Sequence, residues 1–284
     1  MLGYVAAVVA SLAWSLNPAV ISRFRSYIKP LTFTAFRALT ALAVLYPIAR
    51  LRYSEPYNSS LHALAIIVVS AVLGPGMGDA LYTKSIQLLG GSLAVILSYT
   101  YILVSQLLAV LLLNERVTLS LAIGTLLAFS GVVVALSPWT SRGGISLKGV
   151  TCALGAATLW GVATILVRLA LSFADPLALT VIRLAAIALL FLPLGLTFEG
   201  PPFRSSIQPV LLASTITGVI GWGLGMYLFI LSIDLIGVSA TTVVTALTPV
   251  ISQLSTTIIA GEKVRVNSVL GAILTFLGVA ITAL

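Results

Sequence analysis

The sequence predicts an all-α integral membrane protein, ten transmembrane helices arranged as two inverted five-helix repeats. Three observations carry this. The chain of 284 residues is 60% hydrophobic and 8% charged, with a mean hydropathy of +1.16, whereas soluble domains hold about 25% charged residues. Its apolar runs are long and lack the strict alternation of strands, and in hydrocarbon every backbone polar group must be satisfied internally. The chain is also written twice. Gly74, Gly76, Gly78, Ser85, Gly90, Ser92, Ser105, Gln106, Glu115, Gly124 and Gly131 recur 147 residues later as Gly221, Gly223, Gly225, Ser232, Gly237, Ser239, Ser252, Gln253, Glu262, Gly271 and Gly278. Nearer the N-terminus the offset is 146, matching Trp14, Pro30, Arg37 and Pro47 to Trp160, Pro176, Arg183 and Pro193.

A crossing needs about 20 mostly apolar residues, and ten stretches meet this. In chain order they are 3–22, 30–50, 62–86, 91–113 and 118–137, then 148–171, 176–197, 208–233, 238–260 and 266–284. Polar turns separate them: Arg23, Arg25 and Lys29; Arg50 and Arg52 to His62; Arg142 to Lys148; Glu199 to Arg204; Glu262 to Arg265. The first repeat is assigned to residues 1–140 and the second to 147–284. Five spans per half make the second copy enter the membrane from the opposite face, the plan in which a solute site lies at the midplane between the halves.

The net charge of +8 is scattered at span ends, without the basic stripe of a nucleic-acid binder. Loops after odd-numbered spans carry eight of these bases (Arg23, Arg25, Lys29, Arg142, Lys148, Arg204, Lys263 and Arg265) and those after even-numbered spans four (Arg50, Arg52, Arg116 and Arg168). By the positive-inside rule this puts both termini outside. A single cysteine, Cys152, excludes an internal disulfide and a cysteine-cluster metal site. No cleavable signal peptide is expected, because the first span belongs to the repeat.

Trp14-Ser15 and Trp160-Gly161, Phe36-Arg37-Ala38 and Ile182-Arg183-Leu184 after their prolines, Leu247-Thr248-Pro249-Val250, Gly261-Glu262-Lys263 and the Gly271 to Gly278 helix form a recurring set of motifs. Together they resemble the drug/metabolite transporter superfamily, specifically its ten-span EamA-type members. The first half has Tyr99-Thr100-Tyr101-Ile102 in place of the Thr-Pro pair, then Asn114-Glu115-Arg116. The resemblance implies export or exchange of amino acids, metabolites, nucleotide sugars or triose phosphates. It also implies cytoplasmic termini, against the charge count, and orientation stays open.

Polar residues deep in spans mark candidate pathways. Arg37 and Arg183 would guide an anionic group near opposite faces, or else cap helix ends or snorkel. Asp79, whose twin is Met226, is a candidate proton carrier or the partner of a neighbouring arginine. Ser92, Tyr99 and Gln106, with Thr248 and Gln253 in the second half, form a polar stripe suited to a solute path or to helix packing. Trp14, Asn17, Trp160 and Trp222, with Tyr82, are candidate cavity walls. The glycines allow close helix approach or local unwinding, and Pro18, Gly76, Gly223 and Pro249 are candidate hinges. Glu115-Arg116 and Glu262-Lys263 read as ion pairs at turns.

The expectation is a secondary transporter that moves a small metabolite, an amino acid or related solute, across the cell membrane by alternating access. Nucleotide-sugar or phosphate-ester exchange and channel-like facilitation are the alternatives. Its partners are the solute, lipid and, as coupling ion, protons. No cofactor, metal, nucleic acid or ATPase motif is expected, and a monomer is compatible with the pattern. The only histidine, His62, lies in a loop, so no catalytic constellation is expected.

Overall fold

In a computed structural model, which describes residues 1–53, 60–136, 146–200, 207–262 and 266–282, all secondary structure is helical. In chain order the helices are α1 (Leu2–Arg23), α2 (Pro30–Arg52), α3 (Leu61–Leu89), α4 (Gly91–Leu113), α5 (Leu119–Leu136), α6 (Leu147–Ala170), α7 (Pro176–Glu199), α8 (Gln208–Thr245), α9 (Leu247–Ala260) and α10 (Val266–Thr282). Seven of them, α1–α4 and α6–α8, are long and apolar enough to cross a membrane. The other three are shorter, at 18, 14 and 17 residues.

The span expected over 238–260 is shared between the end of α8 and α9. Gly237 has φ 80° and turns the chain within α8, and the helix breaks again between Thr245 and Leu247. Gly90, its twin, has φ 85° and separates α3 from α4. Both angles lie where a Cβ is strained, so glycine is what lets the helix direction change within one residue. Arg142, Arg204, Lys263 and Arg265, used in the charge count, lie outside the described residues.

Two pairs of twin helices, α2 with α7 and α5 with α10, pack against each other in opposite directions. The α7 end meets the α2 start: Glu199 accepts from the backbone N–H groups of Leu31 and Thr32, each at 2.9 Å, and Lys29 Nζ donates to the Glu199 carbonyl at 2.6 Å. The other ends meet where the Tyr53 hydroxyl donates to Asp175, which also caps α7 through Leu177 N–H. Burial, then that bond, pushes the Tyr53 hydroxyl up to about 12, so it stays the proton donor. Helices α5 and α10 cross likewise. Added methyls at Gly131 and Gly278 would collide with the backbone at Gly271 and Thr275, and at Gly124 and Ala128. Such close approach by small residues is what holds helices together where lipid removes the hydrophobic drive.

Among the described residues Glu115 does not form an ion pair with Arg116, and the pair expected between Glu262 and Lys263 falls outside them. Glu115 instead accepts from Val238 and Ser239 N–H, at 2.8 and 2.9 Å, and Glu262 accepts from Gly91 and Ser92 N–H, at 3.0 and 3.1 Å, with further bonds from the Ser22 and Ser92 hydroxyls. Gly90 and Gly237 restart their helices with orphan N–H groups, and a carboxylate satisfies these better than a surface lysine or arginine would satisfy the acid. Among the described residues the ion pairs are Arg37–Asp79 and Arg168–Asp234, the latter exposed and 4.0 Å long. Lys263 lies outside the described residues.

Candidate functional site

Two π-helical segments, Val72–Gly78 in α3 and Thr217–Met226 in α8, position the centre of the molecule. They hold the Gly-x-Gly-x-Gly repeats. The segments widen rather than unwind, so of the two readings of these glycines it is close approach that is seen, and the bare glycine faces admit tryptophans. A Cβ at Gly78 would lie 2.7 Å from the Trp160 ring, and one at Gly225 2.7 Å from Trp14 Nε1. π-bulges of this kind recur at functional sites. The widened turns also leave room for a cavity of about 90 Å³.

That cavity is lined by Trp14 and Asn17 from α1, Asp79 and Tyr82 from α3, and Tyr99 and Tyr101 from α4. Trp160 and Thr164 from α6, Arg183 from α7, and Trp222, Met226 and Phe229 from α8 complete it. Trp160 stacks edge-on with Tyr82 at 5.0 Å between ring centres, and with Tyr101 at 6.0 Å. Across the cavity Trp14 meets Phe229, the twin of Tyr82, at 4.9 Å.

The polar centre is asymmetric. Arg37 is fully buried, and its Nη1 donates to Asp79 Oδ2 at 2.7 Å. Trp160 Nε1 donates to Asp79 Oδ1 at 2.9 Å, and Trp222 Nε1 to Oδ2 at 3.2 Å. The Arg37 guanidinium lies 4.2 Å from the centre of the Trp222 ring, a cation–π contact that helps to hold it out of water. The ion pair with a neighbouring arginine, one of the readings of Asp79, is thus present in the structure. Arg183 donates through Nη2 to the Ser70 carbonyl at 3.2 Å, and its buried Nε has no partner. Arg37 and Arg183 each reach inward from their own end of the antiparallel α2–α7 pair. With exposures of 0% and 4%, neither snorkels.

Eight of the twelve sequence-derived pathway residues line the cavity: Trp14, Asn17, Asp79, Tyr82, Tyr99, Trp160, Arg183 and Trp222. Arg37 stands behind Asp79, and Thr248 bonds to Tyr99 from the second layer. Gln106 donates to Thr125 Oγ1 and Gln253 to the Pro249 carbonyl, and neither reaches the cavity. The stripe hydroxyls are taken up likewise, Ser252 on the Thr248 carbonyl and Ser255 on the Ser15 carbonyl. Among the hinge candidates, Gly76 packs against Phe191, Gly223 lies in the second π-helical segment, Pro18 lies within α1 with its carbonyl against Gly91, and Pro249 is buried in α9. Sequence reasoning missed Tyr101 and Phe229. The repeat offset carried a signal for Phe229, since it is Tyr82 displaced by 147 residues.

Comparison with known proteins agrees with this architecture. The family model of the EamA-like transporter family matches residues 1–137 and again 147–284. The chain is 27% identical over 255 residues to the "Uncharacterized transporter in sor 3'region" of Acidianus ambivalens, covering 89% of this chain and 93% of that protein. It is 21% identical over 253 residues to the "Uncharacterized transporter YoaV" of Bacillus subtilis (strain 168), covering 89% and 86%. A solved crystal structure with 19% identity superposes with a TM-score of 0.79 over 98% of this chain and 95% of its own, which establishes a shared fold. The chain is therefore a multi-pass integral membrane protein, and it belongs to the EamA-like transporter family.

Proposed function

We propose that this chain is a secondary transporter that moves a small metabolite by alternating access, with ten spans in two inverted five-helix repeats, 1–140 and 147–284. One observation carries the transport reading. One cavity draws its walls from both halves, Asp79, Tyr82 and Tyr99 from one, and Trp160, Arg183 and Trp222 from the other. A site at such a seam is exposed to either side when the halves rock. The antiparallel twins α2 and α7 support inversion, because a two-fold axis that reverses a spanning helix lies in the membrane plane.

The solute class follows from the walls. Aromatic rings contribute a broad apolar surface and Arg183 a cationic anchor, which suits small amphiphilic metabolites such as amino acids and related acids. The test is counterflow in proteoliposomes, with a panel of unlabelled amino acids and short organic acids loaded one at a time. A preloaded solute should accelerate entry of its own labelled form. Flux that saturates in neither direction, or large unitary conductance in planar bilayers, would replace the carrier by a channel. No flux of any panel member would remove the transport assignment for these solutes.

A further inference from the structure

The two halves differ in charge at the centre of the molecule. In the first, Arg37 is met by Asp79. In the second, Arg183 repeats Arg37, but the twin of Asp79 is Met226, and both Arg183 and Met226 line the cavity. Arg183 is 96% buried, reaches one backbone carbonyl, and among the described residues no carboxylate pairs with it. A buried cation without a counter-charge is costly. Asp79 lies within electrostatic reach of Arg183, but its hydrogen bonds go to Arg37, Trp160 and Trp222. Two guanidinium groups thus share one carboxylate, and the cavity carries a surplus of one positive charge.

We propose that the solute supplies the missing carboxylate. The site takes organic acids of net charge −1 with an apolar or aromatic body, in preference to zwitterions. The solute's carboxylate sits against Arg183 on the Met226 side, completing for the second half the pair that Asp79 completes for the first. Its body lies among Trp14, Phe229 and Trp160. An α-ammonium group finds no free acid in this cavity, so a zwitterion leaves the surplus charge uncompensated. This inference rests on the carrier reading above but names a narrower solute than that reading requires.

The experiment uses the purified full-length protein at neutral pH and three probes with one body: 3-phenylpropanoate, phenylalanine and 2-phenylethylamine. Calorimetry and thermal unfolding in detergent should show 3-phenylpropanoate binding at least about tenfold more tightly than phenylalanine, and the amine not at all. Arg183→Gln should weaken the acid by roughly ten- to a hundredfold. Met226→Asp should abolish binding with Arg183 still in place, because the protein then fills the position itself. That second variant keeps the test decisive if Arg183→Gln fails to fold. Equal or tighter binding of phenylalanine, binding of the amine, or undiminished binding of the acid by Met226→Asp overturns the proposal. Absence of binding by all three also overturns it, and the wider counterflow panel then decides separately whether the carrier reading stands.

Discussion

Asp79 is the residue on which the centre depends. Its carboxylate joins α2, α3, α6 and α8 through Arg37, Trp160 and Trp222. Removing one partner of a buried pair leaves the other charge stranded, at about 3–5 kcal/mol. Asp79→Ala should therefore lower thermal stability sharply in detergent, and Arg37→Met should do the same. The double variant Asp79→Ala with Arg37→Met should lose clearly less than the sum of the two. Strict additivity would show that the pair is not coupled. Much of this residue scale was legible in sequence, since costly polar groups and tryptophans inside apolar runs mark themselves. The partner of Asp79 was not, because spacing along one helix says nothing of which neighbouring helix brings an arginine. Gln106 and Gln253 misled for the opposite reason. Their polarity is satisfied locally, by Thr125 and by a carbonyl one turn back.

At the scale of elements, the breaks in the helices matter as much as their lengths. Gly237, at φ 80° and ψ 175°, occupies a region essentially reserved for glycine, where another residue costs about 1–3 kcal/mol. A Cβ there would also lie 3.0 Å from Glu115 Oε1. Gly237→Ala should destabilise by about that range in thermal unfolding. Gly261 is a useful contrast. It has φ 73° and ψ 21°, and its twin Asn114 already adopts φ 54°. Asparagine tolerates this left-handed conformation, so Gly261→Asn should leave stability nearly unchanged. A loss as large as that of Gly237→Ala would show that the left-handed geometry does not govern the difference. The repeated glycines were visible in sequence. Their division between turning the chain at 90 and 237 and admitting tryptophan at 78 and 225 required backbone angles and neighbours.

For the whole molecule, the duplication was the most legible feature, because it is spread over many positions and survives the loss of any one. The span count was less so, since hydropathy sees apolar length but not a helix that turns at Gly237 and breaks near Ala246. The proposed inversion makes a direct prediction. Ser26 and Ser172 are exposed twins in the turns after α1 and α6. In a Cys152→Ser background, Ser26→Cys and Ser172→Cys should react with a membrane-impermeant maleimide from opposite sides of the bilayer. Labelling of both from one side would refute the inversion.

The crossed carboxylates, Glu115 on the α8 turn and Glu262 on the α4 start, make each half the keeper of the other's loose end. A gene cut between the halves would therefore yield two fragments that stay incomplete apart and regain their shape on meeting. Co-expressed fragments 1–140 and 141–284 should co-purify, and Glu262→Gln, which weakens one side of the exchange, should lower the yield of the reunited pair. Drift in either copy is thus answerable to its companion, so a chain that began as two interchangeable copies has become one inheritance that does not divide.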